Sequence, residues 1–123
     1  MKALLVLVMA VALAGCGGGK LTASGTLGLT AVNAATDDCS SGTGGYDDIH
    51  EGTSVVVYDS TGKKVAIGSL GAGKAYGSDG LCVFRFSVPD VPSGDGPYGV
   101  EVGSRGQVSF NESEASKIVI SLG

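Results

Sequence analysis

The chain reads as all-β: a small antiparallel β-sandwich of about seven short strands with one disulfide, preceded by a short signal helix. Three observations carry this expectation. Short β-branched and aromatic runs alternate apolar with polar residues, the two-residue period of a half-buried strand. Glycine occurs 22 times with no fixed period, and glycine or proline punctuates the gaps between runs. Beyond residue 23 no amphipathic helix of normal length can be drawn.

At the start, Lys2 precedes an unbroken apolar run over residues 3–14, which closes on Leu13-Ala14-Gly15-Cys16 and three glycines. Those 12 residues fall short of the roughly 20 a membrane span requires. Ala12-Leu13-Ala14 also satisfies the small-x-small rule for ordinary secretory cleavage, which would leave Cys16 as a spare thiol. The whole segment resembles a bacterial lipoprotein signal peptide ending in a lipobox. That resemblance implies diacylglycerol on the Cys16 thiol and, in all, a palmitate-type acyl anchor. It also implies recognition of Leu13, Ala14 and Gly15 by signal peptidase II, and export to the extracytoplasmic side of the cell membrane, where the lipid bilayer is the partner. Each buried methylene contributes about 0.8 kcal/mol, so two acyl chains hold durably. The expected organisation is a signal peptide over 1–15, a lipidated flexible tether over 16–23 and a β-sandwich domain over 24–123.

The strands follow in order. Residues 26–32 place Leu27, Leu29 and Ala31 on one side. Residues 33–52 are rich in Asp, Ser and Gly, lack periodicity and read as a long loop. Runs over 53–59 and 63–70 flank Ser60-Thr61-Gly62, a hairpin spacing in which glycine supplies the positive φ. Residues 71–80 read as a second loop. Over 81–88, Cys82, Phe84, Phe86 and Val88 share one face, opposite Leu81, Val83, Arg85 and Ser87. Residues 89–97 hold all three prolines and read as a turn region. Tyr98, Val100 and Val102 then share a face, residues 107–110 form a short run, and Asn111 with Glu114 three residues on suggests one capped helical turn. Residues 117–122 close the chain with Ile118, Ile120 and Leu122 inward.

Of three cysteines, lipidation would consume Cys16 and leave Cys39 and Cys82 as an even pair. The expectation is a disulfide, with two buried free thiols as the alternative. Removing Lys2 with the signal peptide leaves seven basic and twelve acidic residues, 7 − 12 = −5. Such a balance speaks against nucleic acid and anionic headgroups as partners.

Candidate chemistry is thin. Gly68-Ser-Leu-Gly-Ala-Gly-Lys74 fits part of a phosphate-binding loop, but Ala75 replaces the Ser or Thr that would hold magnesium and no helix can follow. No nucleotide partner is expected. Asp47, Asp48 and Glu51, with Asp37 and Asp38 nearby, offer hard oxygen ligands for calcium, although the spacing matches no EF-hand. His50 is the only histidine, and Gly103-Ser104-Arg105-Gly106 lacks a residue of the nucleophile-elbow spacing, so catalysis is not expected. Tyr46 and Tyr76 fall in glycine-rich loops and are the candidates for a contact surface.

The order of motifs over about residues 53–106 is similar to transthyretin-like and carboxypeptidase-regulatory-like sandwich domains. These are a Val-x-Val strand, a turn with Gly62, a Phe-x-Phe strand, a proline turn, Tyr98-Gly-Val-Glu-Val102 and Gly103. This likeness implies a prealbumin-type or immunoglobulin-type sandwich and no activity. Residues 39–52 also resemble a stretch of exported actinobacterial proteins of unknown function, a likeness that brings no functional residue with it. The expected function is a non-enzymatic, membrane-anchored surface lipoprotein with a binding or envelope-structural role, partnered by the bilayer and another envelope protein. A calcium-stabilised adhesion or inhibitor module is the alternative, and a small hydrolase the distant one.

Overall fold

The computed structural model describes residues 19–30, 38–77 and 80–122. The signal helix, Leu13, Ala14, Gly15 and the lipidation residue Cys16 lie outside them, as do Asp37 and the predicted strand residues Ala31 and Val32. Seven strands form: β1 Lys20–Leu29, β2 Ser54–Tyr58, β3 Lys64–Tyr76, β4 Leu81–Pro92, β5 Tyr98–Val102, β6 Gln107–Phe110 and β7 Ile118–Leu122. They make one sheet in the order β6-β5-β2-β3-β4-β1-β7.

The all-β expectation holds, but the strands join in one sheet where a two-sheet antiparallel sandwich was expected. Most neighbours are antiparallel, but β7 runs parallel to β1, with Gly25 opposite Ile118 and Leu29 opposite Leu122, so the sheet is mixed. The sheet curls on itself. Val108 of edge strand β6 and Ile120 and Leu122 of edge strand β7 line one cavity of about 40 Å³ with Leu27, Val100 and Val102. The two edges thus approach across a seam without forming a ladder in the sheet order.

Burial follows the alternation read from the sequence. Leu27, Leu29, Val55, Val57, Cys82, Phe84, Phe86, Val88, Val100 and Ile118 all enter the core. Their hydrophobic burial is the main force holding strands this short together. Tyr98 is the largest fully buried side chain. Its ring stacks on Phe110 at 5.2 Å between centroids.

Three boundaries moved. β1 begins at Lys20, so residues 20–23 of the expected tether belong to the fold, and Ala23 is fully buried. β3 runs on to Tyr76, through the glycines that read as a loop. The register from Leu70↔Phe86 to Gly73↔Phe84 shows why: β3 carries one extra residue there, a bulge that lets the strand bend and continue. β4 likewise continues to Pro92. Leu21 pairs with Val91 and Ala23 with Val88, which leaves Pro89-Asp90 in a bulge, with Asp90 at φ 63°. Proline is harmless there, because a bulge needs fewer ladder donors.

The remaining elements formed as expected. Gly62, at φ 84°, turns β2 into β3. A single 3₁₀ turn at Glu112–Glu114 follows Asn111, whose backbone N–H donates to Glu114 Oε1 at 2.9 Å. Cys39 and Cys82 form the disulfide, with Cα atoms 5.4 Å apart and both residues buried.

Candidate functional site

Two places hold the polar side chains that could do work. The first is the end of the sheet away from Lys20. Antiparallel registers put the β3–β4 turn, the β5–β6 turn and loop residues 38–52 at this common end. Tyr46 and Tyr76 therefore share an end, which the sequence could not reveal.

Their situations differ. Tyr76 terminates β3 and is 44% exposed. Tyr46 lies half-buried beneath Arg105, whose guanidinium carbon stands 4.6 Å from the ring centre. Arg105 also donates to both carboxylate oxygens of Asp48 and to the Gly45 carbonyl. These hydrogen bonds hold Asp48 below the usual carboxylate range, against a smaller opposing effect of desolvation. The loop is pinned from inside as well. Ile49 is fully buried, and the Thr53 hydroxyl donates to the Asp48 carbonyl at 2.6 Å while accepting from the His50 N–H at 3.1 Å. Lack of periodicity hid Ile49 as an anchor.

This arrangement redefines the candidates in the loop. Of the expected calcium ligands, Asp48 is engaged by Arg105, and Asp47 and Glu51 are solvent-exposed. Among the described residues no group of three or more His, Cys, Asp or Glu side chains comes together around a metal-sized space. His50 is exposed, its Nδ1 2.8 Å from the Glu51 carbonyl oxygen, where an Nδ1–H would donate. The phosphate-loop-like run at residues 68–74 lies within β3 and forms no loop at all.

The second place is an open groove of about 760 Å³ on the outer face of β3, β4, β1 and the start of β7. It exists because outward positions here are small. Ser69, Ser87 and Ser24 stand in register across three strands, with Thr26 opposite Arg85 one step along. Gly25 lies so close to β7 that a Cβ would sit 2.0 Å from the Ile118 carbonyl oxygen. The floor thus carries the hydroxyls of Ser24, Thr26, Ser69 and Ser87 within a lining that is mostly apolar and includes Phe86, Ile118 and Val119. Arg85 and Lys117 rise beside it, both exposed, and among the described residues no carboxylate lines it. Arg85 and Ser87 were legible as the outward face of their strand; that the face would be concave was not.

No family model, curated protein or solved structure matches this chain.

Proposed function

We propose that the chain is an exported lipoprotein, carried on diacylglycerol at Cys16, whose β-domain is a non-enzymatic binding module of the cell envelope. The observation that carries the binding reading is the groove of about 760 Å³ across β3, β4, β1 and β7. Its volume falls in the range of about 300–1,000 Å³ typical of ligand sites. Export is supported by the buried Cys39–Cys82 bond, since such bonds persist in oxidising compartments. With that pair joined, Cys16 is the one cysteine left for acylation.

A sandwich-like ancestry of the curled sheet is part of the same reading. It is supported by Tyr98, whose hydroxyl at the start of β5 donates to the Pro92 carbonyl six residues upstream, the device called a tyrosine corner in immunoglobulin-type sandwiches. Tethering through residues before Lys20 would turn the Tyr46 and Tyr76 end outward, where the exposed Tyr76 ring is available to a second envelope protein.

Intact mass of the membrane-extracted protein tests the anchor. The expected species begins at Cys16, carries acyl mass and is two hydrogens lighter for the disulfide. An unacylated chain starting elsewhere overturns the lipoprotein reading.

A further inference from the structure

We infer that the outer-face groove binds an acidic polysaccharide through carboxylate groups held by Arg85 and Lys117. This rests on the groove being the binding surface and adds the class of ligand. Charge is the first argument. The chain is acidic, with 12 carboxylate residues against 8 basic ones, yet among the described residues no carboxylate lines the groove and two cations do. Neither Arg85 nor Lys117 has an ion-pair partner among the described residues, whereas Arg105 is paired with Asp48. Two uncompensated cations beside a carboxylate-free floor present a local positive field on a negative domain. An anionic occupant is complementary to that field.

The floor narrows the class. Ser24, Ser69, Ser87 and Thr26 present a row of hydroxyls, each able to donate and to accept, which suits the hydroxyl-covered surface of a sugar. Arg85 pairs with Thr26 of β1, and Lys117 immediately precedes Ile118, the partner of Gly25, so the two cations flank β1 at two inter-strand spacings, about 10 Å across the sheet. A polymer with an acid on successive units can cross β1 and meet both cations at once. Arg85 contributes planar two-point recognition of a carboxylate, and Lys117 a compact point charge. A flat anionic bilayer is the poorer fit, because the site is concave, holds only two cations and sits on a net-negative domain.

The test titrates the full lipidated chain in neutral detergent with polygalacturonate, poly(glycerol phosphate) and dextran, and separately with phosphatidylglycerol vesicles. Polygalacturonate is expected to bind, at least tenfold more tightly than dextran or poly(glycerol phosphate), and to weaken about tenfold between 50 and 500 mM salt as the charges are screened. Arg85→Gln with Lys117→Gln is expected to weaken it at least tenfold and to leave the melting temperature unchanged, since both side chains are exposed. Ser87→Tyr, which fills the floor, is expected to abolish it. Absence of polygalacturonate binding, insensitivity to the paired change, or preference for the phosphate polymer or the vesicles overturns the inference. Dextran binding that survives the paired change but is lost in Ser87→Tyr overturns the acidic ligand and keeps the groove. Binding untouched by all three changes overturns both.

Discussion

The Tyr98 hydroxyl donates to the Pro92 carbonyl at 2.6 Å, tying the first residue of β5 to the last residue of β4 across the 93–97 connection. The same oxygen accepts from the Asp95 N–H at 3.2 Å and lies 3.3 Å from Glu112 Oε1. Burial pushes its pKa above the ordinary phenol value, against a lowering by the Asp95 N–H and with Glu112 adding to the rise, so it stays a protonated donor in neutral solution. Tyr98→Phe keeps the stack on Phe110 and strands the two backbone partners. The expected cost is about 1–2 kcal/mol, read as a lower urea midpoint at unchanged slope. An unshifted midpoint would show that the hydroxyl adds nothing.

The Cys39–Cys82 bond spans a sequence separation of 43 residues. Chain-entropy reasoning assigns a loop of that length about 4 kcal/mol. Cys39→Ser with Cys82→Ser should therefore melt far below the oxidised protein, and reduction of the wild type should lower its midpoint to a similar degree. If calorimetry finds the two forms equally stable, the bond is not a stabiliser.

Gly25 and Gly28 lie on the same strand and make a paired test. A methyl on Gly25 would meet the Ile118 carbonyl oxygen at 2.0 Å, a backbone atom that cannot rotate away, whereas a methyl on Gly28 would meet Leu81 Cδ1 at 3.4 Å. Gly25→Ala is expected to cost about 1–3 kcal/mol or more by forcing β7 off β1, and Gly28→Ala to be nearly neutral. Equal denaturation midpoints for the two variants would contradict the close approach.

The Asp48–Arg105 pair makes part of the stability depend on pH. Asp48 has a folded-state value below the ordinary 3.8, so its contribution is fully present above that value and is lost as pH falls through the lower, folded one. With Asp48 41% exposed, solvent screening keeps the contribution within about 1 kcal/mol. Arg105→Gln should be slightly less stable than wild type at pH 7, and the gap should close in acid. A gap that widens below pH 4 has the wrong sign for this pair.

Calcium is expected to leave the melting temperature unchanged at millimolar concentration, because Asp48 already has its positive partner in Arg105. A cation would have to displace a guanidinium held at three acceptor atoms. A rise of several degrees with calcium, reversed by chelator, would restore the acidic loop as a metal site.

The strands that the sequence made legible are those whose alternation is uninterrupted. Residues 98–102 and 107–110 coincide with β5 and β6, and the Cys82, Phe84, Phe86, Val88 face points inward as read. Where reading failed, glycine and proline were taken as breakers. Gly71 and Gly73 instead sit at a bulge in β3, and a Cβ on Gly73 would strike the Cys39 carbonyl oxygen at 2.2 Å, so that glycine serves the loop packed above it. Pro89 likewise occupies a bulge. The parallel β1–β7 pairing was beyond reach for a different reason. Alternation reports which side of a strand is buried and carries no information on the direction of its neighbour. The groove shares that limit, since Ser24, Ser69 and Ser87 become one floor only through long-range register.

Because β1 and β7 point the same way, residues 20 and 122 emerge at opposite ends of the domain. A pull applied between them slides the two strands along each other, so the rungs from Gly25↔Ile118 to Leu29↔Leu122 are loaded together instead of peeling one at a time. The geometry is that of a shear clamp: force applied between these two residues meets all five β1–β7 rungs at once.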